Sequence, residues 1–264
     1  MTTKGVRHVL GLSGGKDSSA LAIYMRNRVP EMEYFFTDTG AELPETYEYL
    51  DRLEGFLGKP IARLSAERDF DHLLHKMHNN FLPSPNTRWC TRELKIAPFE
   101  RWIGDDPAMS YIGIRADEPR DGYSGKLNIT PVFPFKEAGL VFADIQRILA
   151  ESGLGIPDYY KWRSRSGCYF CFFQRKNEWV GLAKHHPDLF ERAKAYEKPA
   201  EGGVSGFTWS QGETLDQLIA RASDIEAEVA KRAGKVKRMT WQEILAQTSL
   251  DAGEEDESCL ICSL

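Results

Sequence analysis

Three observations in the sequence predict an α/β protein built on a mostly parallel, doubly wound sheet. Short apolar runs alternate with longer helical patterns through the first half of the chain, an order typical of βαβ units. A doubled glycine separates the first apolar run from the first helical pattern, as in turns that bind anions. Polar or charged residues follow three of the predicted strands, at the sheet edge where ligands of such folds gather.

The individual elements follow from these patterns. Apolar runs predict strands at residues 6–12, 34–37, 61–64 and 109–114. Helical patterns separate or follow these strands at residues 18–27, 44–57, 70–77 and 92–103. Beyond residue 135 the pattern becomes helical, with an amphipathic stretch at 142–149 and helices at 187–196, 215–232 and 241–247. We therefore expect a core over 1–135, a helical cap with a Cys-x2-Cys over 136–248, and an acidic, mobile tail over 249–264.

Composition restricts the class of protein. The chain has 264 residues, of which 42% are hydrophobic and 28% charged, values ordinary for a globular protein. No apolar run suits a bilayer and the N-terminus lacks an export segment, so we expect a cytoplasmic protein without a membrane partner. The acidic residues of the tail account for the whole net charge of −5, and the neutral remainder neither favours nor excludes nucleic acid. Five cysteines in a reducing compartment point to metal, cluster or sulfur chemistry before disulfides.

The turn after the first strand carries the clearest chemical pattern. Residues 13–18 read Ser-Gly-Gly-Lys-Asp-Ser, which is neither a Walker loop nor the glycine pattern of a dinucleotide fold. Two glycines let backbone N–H groups converge beside the positive end of a helix, Lys16 adds a full charge, and Ser13 and Ser18 add hydroxyl donors. We expect a phosphate or pyrophosphate site. Its proposed residues are Ser13, Gly14, Gly15, Lys16, Asp17, Ser18 and Asp38.

Three charged residues near this turn each allow two interpretations. Asp17 either organises the loop and a metal ion or caps the helix. Asp38 follows a strand and precedes Gly40, so it serves either Mg²⁺ and nucleotide or an Asx turn. Arg115, like Arg120, suits a phosphate clamp or a salt-bridged loop.

Four segments resemble a known family. Residues 13–18 are similar to the pyrophosphate loop of the N-type ATP pyrophosphatases, the PP-loop superfamily. Residues 36–46, 88–95 and 113–118 resemble, in order, the phosphoadenylylsulfate reductase branch of that superfamily. The resemblance implies an adenine nucleotide alpha-hydrolase-like fold, ATP and Mg²⁺ as ligands, and cleavage to AMP and pyrophosphate. It implies catalytic roles for Lys16, Asp17, Cys90 and Arg115.

Three cysteines suggest a joint site. Cys90 lies in the segment similar to the reductases, and Cys168 and Cys171 form a Cys-x2-Cys. Their thiolates could bind a [4Fe–4S] cluster with an open iron, or Zn²⁺ with a fourth ligand. The paired cysteines of the cluster-bearing reductases are absent, since Trp89 precedes Cys90. Cys90 is therefore either a ligand or a cluster-free active-site thiol.

A second Cys-x2-Cys lies in the tail. Cys259 and Cys262 are either incidental thiols of a disordered segment or a sulfur relay that swings into the active site. The relay resembles the tail cysteine of phosphoadenylylsulfate reductases, although the surrounding residues differ from the usual Glu-Cys-Gly-Leu-His ending.

The resemblance favours one function over three others. The chain resembles the ATP pyrophosphatase component of bacterial DNA phosphorothioation systems, which implies adenylylation of a nucleic-acid oxygen and sulfur from a cysteine desulfurase or other persulfide donor. Aromatic and basic residues alternate over 159–176, which suits either nucleic acid or packing around a cysteine turn. The alternatives are a sulfonucleotide reductase that forms sulfite, a tRNA thiolase, and a nucleotide-binding module without activity. A homo-oligomer is left open.

Overall fold

The computed structural model describes residues 5–119, 126–198 and 206–236. The predicted helix at 241–247, the acidic tail with Cys259 and Cys262, and Arg120 lie outside these ranges. Among the described helices, none combines the length and the apolar character that crossing a bilayer requires.

A five-stranded, entirely parallel sheet forms the centre of the fold, which confirms the predicted fold class. The strands are Arg7–Gly11 (β1), Glu33–Asp38 (β2), Ile61–Ser65 (β3), Ala108–Tyr111 (β4) and Ile129–Val132 (β5). Their order across the sheet is β3-β2-β1-β4-β5. The direction of winding therefore reverses between β1 and β4, and the segments after these two strands flank the reversal, where open α/β sheets bind ligands.

The sequence patterns miss only the last of these strands. Pro131 interrupts the β-forming run of β5, and a proline argues against a central strand. The strand pairs only with β4 and lies at the edge of the sheet, a position that tolerates proline.

Helices cover both faces of the sheet. Those within the α/β core are Lys16–Met25 (α1), Pro44–Leu57 (α2), Phe70–His72 (α3), Trp89–Thr91 (α4) and Ala97–Ile103 (α5). Wider π-helical segments, Leu73–Met77 and Arg92–Ile96, continue α3 and join α4 to α5. Alternate strand residues face opposite sides, so Leu10 packs with α1 and α2 while its neighbour Val9 packs with α5.

The cap that follows the sheet is helical. Its helices are Pro134–Glu137 (α6), Phe142–Ser152 (α7), Lys176–His185 (α8), Pro187–Lys194 (α9), Leu215–Ala220 (α10) and Ala222–Val236 (α11). The helix predicted at 215–232 is divided at Arg221, where φ is −116° and the helix α10 ends. The sequence reasoning missed α8, because its buried Trp179, Val180 and Leu182 follow a run dense in aromatic and basic residues.

The cap shares a hydrophobic core with the segments after β2 and β3. Tyr159, Tyr169, Trp179 and Trp209 of the cap are buried in one cluster with Leu43 and with α3 and α4. The helix α7 instead packs on α1, with Ile145 and Leu149 in the cluster beneath the sheet. These contacts hold the cap against the carboxyl end of the sheet.

Candidate functional site: a phosphate loop beside three cysteines

The predicted loop lies between β1 and α1, as the sequence indicates. The hydroxyl oxygen of Ser18 accepts the N–H of Ser13 at 3.2 Å, and the hydroxyl oxygen of Ser13 accepts the N–H of Gly15 at 3.4 Å. Gly14 has a φ of +71°, a left-handed conformation that glycine adopts without the strain a side chain would cause. The side chains of the loop therefore close it on itself.

Both glycines are also needed for close packing. A Cβ on Gly14 would lie 2.7 Å from Cγ2 of Thr46, in the first turn of α2. A Cβ on Gly15 would lie 2.6 Å from Oγ of Ser166, in the cap. The loop is thus held between α2 on one side and the cap on the other.

Two tyrosines of the cap contact the loop backbone. They belong to the 3₁₀ turn Asp158–Lys161. The hydroxyl of Tyr159 donates to the carbonyl oxygen of Gly14 at 2.9 Å, and the hydroxyl oxygen of Tyr160 accepts the N–H of Lys16 at 3.0 Å. More than 140 residues separate these partners, so no local pattern in the sequence could have paired them.

The charged residues near the loop form a network. Nζ of Lys16 lies 3.5 Å from a carboxylate oxygen of Asp17, and Asp17 pairs with Arg115 at 2.9 Å. Arg115 also pairs with Asp117 at 2.9 Å and Glu118 at 2.7 Å. Burial alone would lower the pKa of Arg115, but Asp17 and Glu118 together raise it above its ordinary value. Asp17 thus acts as an organiser of the two cations, and Arg115 stands in a salt-bridged loop.

A half-exposed aromatic ring lies over both cations. The ring of Phe142, the first residue of α7, is 5.8 Å from Nζ of Lys16 and 5.4 Å from the guanidinium carbon of Arg115. Tyr160 lies 5.3 Å from the same Nζ. Such contacts restrict where the lysine amine can point. The sequence reasoning missed Phe142, which appears there only as the start of an amphipathic helix.

Asp38 forms the turn that was one of its two interpretations. One of its carboxylate oxygens accepts the N–H of Gly40 and the hydroxyl of Tyr47, each at 2.8 Å. Burial, followed by this hydrogen bond, raises the pKa of Tyr47. The contacts of Asp38 within the protein are those of an Asx turn, and a role toward Mg²⁺ stays a prediction.

One cavity brings the three described cysteines together. It has a volume of about 30 Å³. Its lining residues come from the turn after β2, from α4 and its continuation, and from the cap: Thr39, Pro83, Cys90, Thr91, Leu94, Lys95, Gly167, Cys168, Phe170, Cys171, Phe172 and Phe173. None of the three is in a disulfide with another described cysteine, and all three are half-buried. The structure therefore places Cys90, Cys168 and Cys171 in a joint pocket, as the sequence predicted.

Cys168 makes the most specific contacts of the three. Its sulfur lies 3.2 Å from the hydroxyl of Thr39, and its thiol donates to a carboxylate oxygen of Glu42 at 3.6 Å. The hydroxyl of Thr39 donates to the same oxygen at 2.8 Å. Burial, and then the negative charge of Glu42, raises the pKa of Cys168 well above its ordinary value.

A second, smaller cavity connects the thiols to the phosphate loop. Ser13, Glu42 and Ser166 line it, together with Lys95 and Gly167. The last two residues also line the cysteine cavity. A hydrogen bond of 3.1 Å joins the hydroxyls of Ser166 and Ser13 across this space. The phosphate loop and the thiols are thus neighbouring parts of one site, with a lysine between them.

Comparison with known proteins identifies a similar family for the first part of the chain. Residues 7–130, just under half of the chain, match the family described as phosphoadenosine phosphosulfate reductase domain. These residues form a phosphoadenosine phosphosulfate reductase-like domain. Residues 7–130 are thus similar to that reductase domain, as the sequence motifs indicated, and the rest of the chain lies outside the match.

The chain also has curated relatives, and a solved structure has a similar fold. The chain is 26% identical to an uncharacterized protein of Methanocaldococcus jannaschii over 70% of its own length, but spans only 40% of that relative. It is 27% identical to the uncharacterized nin region protein ORF290 of Escherichia phage lambda, over 96% of this chain and 94% of that one. The crystal structure of phosphoadenylyl-sulfate reductase from Candida auris in complex with phosphate shares the fold, with a TM-score of 0.50 and 14% identity over 64% of this chain and 84% of that one.

Within the part of the chain that the structure describes, the three thiols are not arranged as the predicted metal site. Among the described residues, no group of three or more His, Cys, Asp and Glu side chains is arranged to hold a metal ion. The contacts of Cys168 with Thr39 and Glu42 engage its sulfur within the protein. The predicted [4Fe–4S] cluster or Zn²⁺ site therefore does not fit this arrangement of Cys90, Cys168 and Cys171, and we derive no chemical step through it.

The aromatic and basic segment packs around the cysteine turn. The buried Arg163 donates to the carbonyl oxygens of Gly167 and Cys168 at 2.9 and 2.8 Å. Lys161 pairs with Asp158 at 2.9 Å, and Lys176 pairs with Glu213. Arg163, Lys161 and Lys176 thus have partners within the protein, which favours the packing interpretation for these three cations.

The pair His185 and His186 marks a helix boundary. The helix α8 ends at His185, and α9 begins at Pro187. Nε2 of His186 lies 2.9 Å from a carboxylate oxygen of Glu45, which joins this boundary to the first turn of α2.

Proposed function

We propose that the chain cleaves ATP between its α and β phosphates and transfers AMP to an oxygen of a nucleic acid, DNA in the first instance, to prepare that position for sulfur. The supporting observation is the adjoining pair of cavities, because Lys95 and Gly167 line both the phosphate-loop space and the cysteine pocket. An activated phosphorus would then lie beside the thiols that sulfur transfer needs.

The loop supplies the first half of this reaction. Its N–H groups and Lys16 hold the β and γ phosphates of ATP, which arrives with Mg²⁺. The acceptor oxygen attacks the α phosphorus, the bond to the bridging oxygen breaks, and pyrophosphate leaves. Lys16 offsets the charge that accumulates on the departing group, while Asp17 and Arg115 hold the lysine in place.

The thiols would serve the second half. A persulfide from a donor such as a cysteine desulfurase attacks the adenylylated acceptor phosphorus, and AMP leaves with the oxygen that it activated. A thiol then attacks the donor's sulfur in the sulfur–sulfur bond that the persulfide brought, which releases the phosphorothioate and leaves a disulfide between that thiol and the donor. Cys90, Cys168 and Cys171 line the pocket in which such a thiol is needed. Cys259 and Cys262 of the tail stay proposed as relay thiols.

Two guanidinium groups near the pocket support an anionic acceptor. Arg88 and Arg165 lie 4.9 and 5.2 Å from the ring of Phe173, which lines the cysteine cavity. Arginine combines stacking on aromatic rings with hydrogen bonds to phosphate, so this cluster suits a nucleic-acid backbone.

Sulfonucleotide reduction is the second candidate, because the matched family is that of the phosphoadenosine phosphosulfate reductases. In that reaction a thiol attacks the sulfur of the nucleotide and sulfite is released. Thiolation of tRNA is a variant of the first proposal with a different acceptor.

One set of assays separates these functions. The purified protein is incubated under anaerobic conditions with Mg²⁺ and ATP labelled at the α phosphate, with duplex DNA, with tRNA or with neither. A parallel reaction supplies phosphoadenylylsulfate and thioredoxin. We expect labelled AMP together with pyrophosphate, and label on DNA before sulfur is supplied. Transfer of label to tRNA alone identifies the thiolase variant, and sulfite without ATP cleavage rejects the proposal.

The loop lysine provides the matched variants. Lys16→Ala removes the charge that offsets the departing pyrophosphate, so we expect ATP cleavage to fall by about a hundredfold or more. Lys76→Ala removes an exposed lysine of the segment Leu73–Met77 and should leave cleavage unchanged. Full activity in Lys16→Ala, with an unchanged melting temperature, would show that the loop does not bind the phosphates.

A further inference from the structure

Two adjacent tyrosines of the cap contact the phosphate loop in opposite chemical senses. Tyr159 donates a hydrogen bond to the carbonyl oxygen of Gly14, at 2.9 Å. Tyr160 accepts one from the N–H of Lys16, at 3.0 Å. One tyrosine thus restrains the loop, whereas the other engages an N–H group with which the loop would bind an anion.

The contact of Tyr159 fixes the direction of a peptide unit. The peptide between Gly14 and Gly15 is planar and trans, so its carbonyl oxygen and its N–H point in opposite directions. Holding the oxygen toward the cap therefore turns the N–H of Gly15 away from the cap, toward the interior of the loop. Tyr159 is fully buried, so packing keeps its hydroxyl in position. Without this bond, two consecutive glycines leave the peptide unit free to rotate.

The contact of Tyr160 occupies a position that an anion would take. Lys16 is the first residue of α1, and its N–H has no acceptor within the helix. Gly15 precedes it and provides no side-chain cap. Anions bind at helix N-termini through such N–H groups. Burial raises the pKa of the Tyr160 hydroxyl, which therefore stays neutral and is a weaker acceptor than a phosphate oxygen.

We propose that Tyr159 is a positioning residue that shapes the phosphate loop for its ligand, and that Tyr160 stands in for a phosphate oxygen, which the ligand displaces from the N–H of Lys16. This inference rests on the proposed function, since it requires the loop to bind a polyphosphate. It requires Tyr160 to release the N–H on binding, while Tyr159 keeps its bond to Gly14.

Removal of one oxygen from each tyrosine should have opposite effects on affinity. Tyr159→Phe leaves the Gly14 peptide free, so the loop loses order when empty, and we expect magnesium pyrophosphate to bind about two- to tenfold more weakly. In Tyr160→Phe the N–H of Lys16 loses its acceptor within the protein. This loss destabilises the empty protein but not the complex, in which a phosphate oxygen accepts the same N–H. The ligand then has no bond to displace, and we expect binding about two- to tenfold tighter.

The experiment compares four proteins by isothermal titration calorimetry with magnesium pyrophosphate and magnesium ATP. They are the wild type, Tyr159→Phe, Tyr160→Phe and the control Tyr196→Phe, whose hydroxyl bonds Asp71 at 2.6 Å and lies outside the loop contacts. The control should bind like the wild type. Melting temperatures show whether each variant is folded, and if Tyr159→Phe fails to fold, the sign of the Tyr160→Phe effect still decides the role of Tyr160.

The outcomes distinguish a failure of the tyrosine roles from a failure of the proposed function. Weaker or unchanged binding by Tyr160→Phe makes that residue a structural support and overturns the inference, whatever the wild type does with ATP. Unchanged binding by a folded Tyr159→Phe overturns its positioning role. If the folded wild type binds neither ligand, the proposed function itself fails, and the inference fails with it.

Discussion

Substitution of Gly15 by alanine tests how closely the cap packs on the phosphate loop. Gly15 has φ −90° and ψ 166°, a conformation open to any residue, so alanine causes no backbone strain there. The new Cβ would lie 2.6 Å from Oγ of Ser166, 3.3 Å from its Cβ and 3.2 Å from Oγ of Ser13. The cost therefore arises from packing against the cap.

The size of this cost follows from those distances. Ser166 can rotate its hydroxyl away, but it then loses its 3.1 Å hydrogen bond to Ser13, worth about 0.5–1.5 kcal/mol. The approach of the two Cβ atoms stays, and overpacking of this kind costs about 1–3 kcal/mol. We expect Gly15→Ala to lower the free energy of unfolding by roughly 1–3 kcal/mol. Ser166→Gly in the same chain removes both clashing atoms and should recover most of the loss.

A double-mutant cycle in urea measures this coupling. The wild type, Gly15→Ala, Ser166→Gly and the double variant give the interaction free energy, which we expect to favour the double variant by about 1 kcal/mol or more. Gly55→Ala is the control, because its Cβ meets nothing within 4 Å inside α2. Helix propensity predicts that this control gains about 0.5–1 kcal/mol. Strict additivity of Gly15→Ala and Ser166→Gly would refute contact between loop and cap.

Two acidic residues of the cap give further predictions. Glu178 is 1% exposed, and its carboxylate accepts the N–H and the hydroxyl of Ser164 at 2.7 and 2.6 Å. Glu178→Gln should therefore lower the free energy of unfolding by about 2 kcal/mol, measured in urea at pH 7. An unchanged urea midpoint would contradict this. Hydrogen bonds from Arg221 and then Lys176 lower the pKa of Glu213 from 4.5 to about 2, so the unfolded chain binds the extra proton between these values. The stabilisation by ionised Glu213 is complete above pH 4.5 and is lost as the pH falls toward 2. The difference in unfolding midpoint between the wild type and Glu213→Gln should therefore be smaller at pH 3 than at pH 7. An equal difference at the two pH values would refute the lowered pKa.

Local patterns were sufficient to predict most of the α/β core. The helix predicted at 44–57 matches α2 to the residue, because Pro44 suits a first helical turn and Gly58 adopts a φ of +65° just after the end. The phosphate loop was predicted equally well, because its glycines, Lys16 and the flanking strand and helix are consecutive in the chain. The strand β1 was predicted although it begins with Arg7 and His8, because its remaining residues, Val9, Leu10 and Gly11, are buried and lead into the apolar Leu12.

Contacts between distant segments explain what the sequence reasoning missed. The role of Tyr160 depends on the cap folding back over α1, and nothing within the segment 159–176 distinguishes a ring that caps a helix from one that fills the core. The same packing engages Arg163 of this segment, which is buried against the carbonyl oxygens of the cysteine turn. Spacing did predict the joint cysteine pocket, since a Cys-x2-Cys and a lone cysteine near the loop suggested convergence. It could not predict that Cys168 would bond Thr39 and Glu42.

The charge balance around the loop bears on how a polyphosphate could enter it. Lys16 and Arg115 share a network with three carboxylates, those of Asp17, Asp117 and Glu118. When all five groups are ionised, the network carries one more negative than positive charge, so its side chains alone repel a polyanion. Backbone N–H groups and a cation that arrives with the ligand therefore add attraction to that of Lys16. Magnesium ATP therefore suits this loop better than free ATP. In the empty protein Tyr160 is a neutral acceptor for the N–H of Lys16, so it adds no further negative charge to the site.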